Sequence, residues 1–229
     1  MVIILSGGLA KLFLTENNKM TSSQNLEKGA HNLLKNCANL STDQKLIIIS
    51  EDPSLGWYSS DITHYIKQAA TEMGIKTSIL EVGEPQNDSK SKLTDIIEDF
   101  DCALFFARVG DQDRFEKSHF KTKRVMSYVR NLENLGSTFG HTHHHSLIEL
   151  KKAINSIFSK GGLVKITCPL GTSVEGNLPQ TIIDESSDVG VLRFPMLVPT
   201  PVSAKKVSGT VVLSKFLTPS GSKVYEPAS

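Results

Sequence analysis

The chain has 229 residues, of which 39% are hydrophobic, so it is long enough to bury one large core, or a core and a smaller second unit. Lys and Arg total 25 and Asp and Glu total 24, which gives a formal net charge of +1 at pH 7. This balance provides no overall field to attract nucleic acid or an anionic membrane surface, so we expect neither as a partner. No apolar run approaches the roughly 20 residues that a membrane-spanning helix needs.

The cysteines indicate a reducing environment. Cys37, Cys102 and Cys168 form an odd set without paired spacing, and each lies in an apolar stretch. This pattern argues against a disulfide framework. We interpret the three residues as small buried hydrophobic side chains and expect a cytoplasmic location. Residues 1–20 are interpreted as an N-terminal extension outside the fold, and whether translation begins at Met1 or Met20 stays open.

From Thr21 onward, helices and strands alternate. Thr21 and Gln24 have the spacing of a capping box at the start of the first predicted helix. The continuous apolar run Lys45–Ser50 is typical of a strand buried on both faces. Further helices are predicted near 59–73, 93–97, 129–136 and 146–158, and further strands at 75–82, 101–107 and 123–126. This order predicts a Rossmann-like α/β domain over 21–160, with a parallel sheet and helices on both faces.

Beyond Gly161 the composition changes. Seven of the nine prolines lie there, without helical periodicity. Three apolar runs read as strands: Leu163–Cys168, Val189–Phe194 and Val207–Leu217. We predict that 161–229 form a smaller β-rich unit, the start of a second domain. Its apolar strands predict a homodimer or a bound partner chain; the alternative is that they fold back on the α/β domain to complete a compact monomer.

A ligand site is expected beyond the carboxyl ends of the parallel strands, where open α/β sheets bind their ligands. The segments that follow the first and third strands are dense in charge. Side chains there would hold a small polar molecule or a peptide through charge-assisted hydrogen bonds. The alternative is that they are solvated turn residues with local salt bridges. The predicted substrate-binding residues are Glu51, Asp52, Trp57, Arg108, Asp111, Asp113 and Arg114.

Four of the seven histidines lie in the segment His141–His145, directly before a capping box that begins at Ser146. The positive end of a helix disfavours imidazolium, so we expect neutral imidazoles, the form that binds metal or accepts a proton. Consecutive histidines point in different directions, which is unusual for a metal site. We therefore add His141, His143 and His144 to the predicted substrate-binding set, with a metal site and plain loop residues as the alternatives.

The sequence does not support a nucleotide-binding enzyme or a serine hydrolase. The chain contains no GxGxxG, GxxxxGK[ST] or GxSxG pattern. Acidic residues follow the first strand, where they would repel a pyrophosphate. No catalytic residue is identified.

Two short segments resemble the aminopeptidase T-like metalloproteins. Residues 163–176 read LVKITCPLGTSVEG, which is similar to that family's strand followed by G-T-D-L-T. Residues 193–213 are similar to its P-x-G-E-V-F-T-x-P … G-T-I/V segment. The same superfamily includes iron-dependent dihydroxypyridine ring-cleaving dioxygenases. The resemblance covers 21–229 and implies the N-terminal, substrate-binding half of such an enzyme.

The departures from the family pattern concern the metal. Leu197 stands nearest to the family's metal-binding Glu, and Ser173 stands where the family has Asp. The other family ligands lie further toward the C-terminus. We therefore expect no metal in this chain itself, and a divalent metal only if a C-terminal domain or partner chain supplies it. If active, the protein would be a metal-dependent hydrolase or dioxygenase. The alternative is a non-catalytic binding module for a peptide or small polar ligand.

Overall fold

A computed structural model describes residues 22–85, 89–112, 121–181, 191–197, 199, 202–218 and 221–228. The predicted N-terminal extension and the capping position Thr21 lie outside the described residues. The first helix, α1, spans Ser22–His31 and continues as a π-helical segment over Asn32–Cys37. The apolar side chains of this continuation, among them Leu33 and Leu34, are buried in the core.

The main sheet has five parallel strands in the order β2-β1-β3-β4-β7, numbered in chain order. The central strands β1 and β3 are buried almost throughout, because helices cover both faces of the sheet. This confirms the predicted Rossmann-like parallel sheet. The five strands are β1 Lys45–Glu51, β2 Lys76–Val82, β3 Cys102–Phe106, β4 Lys123–Ser127 and β7 Val191–Phe194.

Helices α2 Ser60–Glu72 and α3 Ser89–Ile97 form the first two crossovers. The chain passes from β1 to β2 in one direction along the sheet and from β2 to β3 in the other. Since parallel crossovers are right-handed, the reversal places α2 and α3 on opposite faces. Helix α1 contacts α2 and so shares its face.

The helices after β4 differ from the prediction. The helix predicted over 129–136 is present as α4 Leu132–Gly136, which starts later than predicted. A second short helix that the sequence does not predict, α5 Thr138–His141, follows it. Helix α6 spans His144–Ser159 and begins two residues before the predicted capping residue Ser146. The Asn32 side chain, remote in sequence, accepts a hydrogen bond from the His144 backbone N–H, so no local cap is needed at Ser146. No helix within the described residues has the length and apolar character to cross a membrane.

Strand β7 also corrects the prediction, which places the run Val189–Phe194 in the β-rich unit. In the structure, β7 pairs in parallel with β4 and forms an edge of the main sheet. Val191 and Phe194 are buried in its core. A four-residue strand does not by itself specify which sheet it joins, so tertiary pairing decides.

The chain forms two compact units, which are described separately. One contains the described residues of 19–152 and 184–198, and the other those of 153–183 and 199–229, whereas the sequence suggested one boundary near Gly161. The second unit contains an antiparallel sheet, ordered β5-β6-β8, and an antiparallel hairpin, β9-β10. The predicted strand Val207–Leu217 is two strands, because its halves pair with different partners. The strands are β5 Gly162–Thr167, β6 Ser173–Leu178, β8 Val207–Thr210, β9 Leu213–Thr218 and β10 Gly221–Ala228.

Two of the three cysteines are buried as predicted. Burial raises the pKa of the Cys37 and Cys102 thiols to about 12. Cys168 corrects the prediction, since it is only half-buried, in the turn that follows β5. Hydrogen bonds from the Thr172 side chain and from backbone N–H groups of the turn lower the pKa of the Cys168 thiol.

Candidate functional site

The order of the main sheet reverses between β1 and β3. From β1 the chain proceeds to β2 on one side, and from β3 it proceeds to β4 on the other. The two connections therefore leave the carboxyl ends of adjacent strands in opposite directions, which makes this end the topological switch point of the sheet. We refer to the space outside these strand ends as the crevice. This is the position at which open α/β sheets of this order bind their ligands.

A buried ion pair joins the loops on the two sides of this crevice. The Arg108 Nε donates to Glu51 Oε1 over 2.7 Å, and Arg108 Nη2 lies 2.6 Å from the same oxygen. The Arg108 backbone N–H donates to Glu51 Oε2 over 3.1 Å. The Arg108 side chain is 13% exposed and the Glu51 side chain 1% exposed. The two guanidinium nitrogens share Oε1, and the backbone N–H of the same arginine donates to Oε2. These charge-assisted contacts to both carboxylate oxygens fix geometry as well as charge, so Glu51 positions the start of the loop after β3.

The loop after β3 begins with a tight 3-10 turn over Arg108–Asp111. Gly110 lies against the Phe105 side chain of β3, and an added Cβ would have Phe105 Cδ1 2.8 Å away. A side chain at this position would push the turn off the strand. The close approach allowed by glycine keeps Arg108 near the end of β1.

Trp57 lies beside two guanidinium groups. The Arg108 Cζ is 4.7 Å and the Arg130 Cζ 5.0 Å from the centroid of the Trp57 ring, within the range of cation–π attraction. Arg130 follows the end of β4, and its carbonyl accepts hydrogen bonds from the Ser59 N–H at 2.9 Å and the Ser59 hydroxyl at 3.2 Å. The loop after β1 is therefore fixed to the loops after both β3 and β4.

Tyr58 and Tyr128 follow β1 and β4 and lie at the same end of the sheet. The Tyr58 hydroxyl donates to the Ser127 carbonyl over 2.8 Å, and its ring meets Phe106 edge to face. Burial raises the pKa of Tyr58; the Arg130 charge opposes this rise, while the carboxylates of Glu51 and Asp111 add to it. Tyr58 therefore stays a neutral hydrogen-bond donor at physiological pH.

The remaining predicted residues of these loops have different positions. Asp111 accepts a hydrogen bond from the Tyr128 hydroxyl over 2.8 Å. Asp52 is exposed, and its side chain accepts from the Ser54 N–H, which lowers the pKa of the Asp52 carboxyl. Asp113 and Arg114 lie outside the described residues.

The predicted histidines belong to a separate cluster around Asn32. The Asn32 amide donates to the Gly140 carbonyl at 3.0 Å and to the Thr142 carbonyl at 2.7 Å, and its oxygen accepts from the His144 N–H at 2.8 Å. His144 is 4% exposed, while His141 is half-buried and His143 exposed.

The His144 ring is buried, and its Nδ1 has no hydrogen-bond partner among the described residues. Burial is the main cause that lowers the pKa of His144, and the neighbouring His143 and His145 lower it further. Within the described residues, no hydrogen bond, ion pair or ring contact joins His141, His143 or His144 to the loops that contain Glu51, Trp57 and Arg108.

The described residues do not fit the metal that the resemblance implies. No group of three or more His, Cys, Asp or Glu side chains among them is arranged to hold a metal ion. We therefore assign no metal ligand and derive no metal-dependent step.

Sequence reasoning missed Tyr58, Tyr128 and Arg130. All three lie beyond strand ends, and Arg130 follows the predicted strand 123–126, so extending the strand-end rule to that strand would have found Arg130 and Tyr128. Asn32 gave no such signal, because its partners Gly140, Thr142 and His144 are more than 100 positions away, with separations of 108, 110 and 112.

Comparisons with known proteins give a distant likeness in fold. No protein-family model matches the chain, and no curated protein matches it in sequence. Among solved structures, the chain is similar to a 2,5-dihydroxypyridine dioxygenase from Pseudomonas putida KT2440, with 12% sequence identity and a TM-score of 0.48. The alignment covers 75% of this chain and 53% of that one, so the chain matches about half the length of that enzyme. A likeness this distant concerns the path of the backbone and gives no residue of this chain a role.

Proposed function

We propose that the chain binds a small polar molecule, or the end of a peptide, in the crevice at the carboxyl ends of β1, β3 and β4. The observation that carries this proposal is the interlocking of three loops from three neighbouring strands. Glu51 holds the loop after β3 through Arg108, and Ser59 holds the loop after β4 through the Arg130 carbonyl. A rigid set of polar groups and one aromatic ring is typical of a pre-formed ligand site.

The described polar groups favour binding over catalysis. A general acid or base must be able to reach a proton of the substrate. Both oxygens of Glu51 already accept from Arg108, and the Tyr58 hydroxyl already donates to the Ser127 carbonyl. We therefore assign these residues positioning roles and propose no reaction for this chain alone.

The metalloenzyme interpretation uses the same crevice. In that proposal, the crevice is the substrate-binding part of an aminopeptidase T-like or ring-cleaving enzyme, and the metal ligands are supplied by a C-terminal domain or a partner chain. Elemental analysis of the purified chain after gel filtration tests it. We expect no stoichiometric zinc, iron or manganese, and about one tightly held metal ion per chain would overturn the assignment of the ligands to a missing part.

Binding can be measured through Trp57, which is the sole tryptophan of the sequence. We expect ligands from a panel of small acids, amides, amines and dipeptides to change its fluorescence and to slow deuterium uptake in 51–58 and 107–112. Trp57→Ala should lose the protection, whereas Phe139→Ala, which removes an aromatic ring that is 47% exposed elsewhere in the same unit, should keep it. Protection confined to other segments would contradict the proposed site.

Association of the second unit stays a prediction. Several of its large apolar side chains are exposed, including Leu163 at 61%, Leu170 at 57% and Val211 at 51%. Such side chains are candidates for burial against a second copy or another chain. Light scattering at micromolar concentration should show a dimer or a larger species, and a stable monomer would contradict the prediction.

A further inference from the structure

We infer that the ligand of the crevice bears an oxyanion, a carboxylate or phosphate group, and that Arg130 is the residue that binds it. This inference rests on the proposed function above and adds the chemical class of the ligand. It follows from which charges near the crevice are already engaged and which are not.

The charge of Arg108 is already neutralised. Its Nε and Nη2 both contact Glu51 Oε1, at 2.7 and 2.6 Å, and only 13% of its side chain is exposed. Replacing this partner with a ligand would leave a buried carboxylate unpaired, which is costly. Arg108 is therefore a positioning residue rather than the ligand's anchor.

The described carboxylates of the three loops are also engaged. Asp52 accepts from the Ser54 N–H, and Asp111 accepts from the Tyr128 hydroxyl. The guanidinium of Arg130, by contrast, makes no hydrogen bond or ion pair with any acceptor among the described residues, although a guanidinium has five N–H donors. An oxyanion matches that unused fork of donors and can accept two parallel hydrogen bonds from it.

The position of Arg130 favours binding at low entropic cost. Its backbone is fixed because its carbonyl accepts two hydrogen bonds from Ser59, and its guanidinium lies over the Trp57 ring, 5.0 Å from the centroid. These contacts restrict the arginine before a ligand binds, and its side chain is exposed to solvent. Binding a ligand therefore costs little additional side-chain entropy. Trp57 itself is half-buried, so part of its ring offers a flat apolar surface beside the charge. The arrangement suits a planar, apolar body that carries an acidic group.

The test uses four probes that share a phenyl ring and differ in their charged group: benzoate, phenyl phosphate, benzamide and benzylamine. Binding is followed by Trp57 fluorescence in the full chain and in two variants with the same charge change. Arg130→Gln removes the proposed anchor. Lys76→Gln is the matched control. Lys76 is the first residue of β2, so it lies at the amino end of the sheet, away from the crevice, where it pairs with Asp43 over 3.6 Å. Circular dichroism confirms that each variant is folded.

We expect benzoate or phenyl phosphate to bind at least about tenfold more tightly than benzamide, the size of effect expected of a hydrogen bond to a charged group. The better of the two anions distinguishes a carboxylate from a phosphate ligand. Arg130→Gln should abolish the preference, and Lys76→Gln should retain it. If benzamide or benzylamine binds as well as the anions, or if Arg130→Gln keeps the preference, the inference is overturned and the proposed binding site stands. If none of the four probes binds, both fail.

Discussion

The sequence predicts that two regions of the molecule form one site, but in the structure the two regions are held by separate sets of contacts. The loops after β1 and β3 meet through Glu51, Trp57 and Arg108 at the carboxyl ends of adjacent strands. The histidine segment 141–145 is anchored instead by Asn32, and His144 within it is buried. The sequence argument for the first region is that its residues follow the ends of strands. The argument for the second region is its unusual density of histidines.

The difference shows which kind of sequence signal predicts that residues distant in the chain lie close together. In a parallel sheet all carboxyl ends point to one edge, so residues that follow different strands converge whatever lies between them. A run of histidines carries no such geometric constraint. Its backbone is placed by whichever distant group satisfies its hydrogen bonds, and here that group is a single asparagine. Removing the contacts that hold each region tests this contrast.

The largest expected effect comes from Glu51. Glu51→Ala should destabilise the chain by about 3 kcal/mol, because it leaves the mostly buried Arg108 without its partner. Chemical denaturation measures this change in stability. The Glu51→Ala substitution should also loosen the loop after β3. Glu81→Gln, at an exposed position on β2, is the control and should change stability by less than about 0.5 kcal/mol. Equal effects of the two variants would mean that the ion pair does not join the loops.

The corresponding change in the histidine region is Asn32→Ala. It removes two donated hydrogen bonds and two accepted ones, from the His144 N–H and the Asn36 amide. The change should cost about 2 kcal/mol, because it leaves the Gly140 and Thr142 carbonyls and the His144 N–H unsatisfied. Asn36→Ala, on the same helical segment, removes only the hydrogen bond that the Asn36 amide donates to Asn32 and leaves the contacts of Asn32 with Gly140, Thr142 and His144 in place, so it should have a much smaller effect. Ligand binding in the crevice should survive in Asn32→Ala; its loss would show that the two regions act as one site after all.

A smaller effect is expected from Gly110→Ala. The new methyl group would overlap the Phe105 side chain and push the 3-10 turn away from β3, at a cost of about 1–2 kcal/mol. Gly83→Ala is the matched control, since nothing lies within 4 Å of an added Cβ there. Thermal unfolding of the two variants should separate them clearly. If Gly110→Ala is as stable as the parent, the close approach of the turn to the strand is unnecessary.

The smallest expected effect concerns pH. The pKa of His144 in the folded chain lies below its ordinary value of 6.5. Above pH 6.5 the imidazole is neutral in both states, and its burial costs no proton. As the pH falls below this value, the unfolded chain takes up a proton that the folded chain still excludes, so the free energy of unfolding decreases.

Denaturation midpoints measured between pH 7.5 and 5 should show this loss, and His144→Gln should reduce it. Gln68→Ala, at an exposed position on α2, removes no titrating group and should leave the pH dependence as it was. An unchanged dependence in His144→Gln would mean that the buried imidazole does not sense the proton.

The sequence by itself determined the alternation of helices and strands, and through it the edge of the sheet where charged loops meet. It did so because continuous apolar runs such as Lys45–Ser50 record burial on both faces, and because right-handed crossovers leave few ways to arrange them. The sequence therefore predicts that Glu51, Trp57 and Arg108 lie close together, and the structure places them in contact.

The tertiary structure alone decided which sheet the short strand β7 joins, where α6 begins, and which cation near the crevice is left without an acceptor among the described residues. Each depends on a partner distant in the chain: β4 for Val191–Phe194, Asn32 for His144, and Ser59 and Trp57 for Arg130. Local periodicity records whether a residue is buried. The identity of the group that satisfies its hydrogen bonds or its charge is fixed only when the chain has folded.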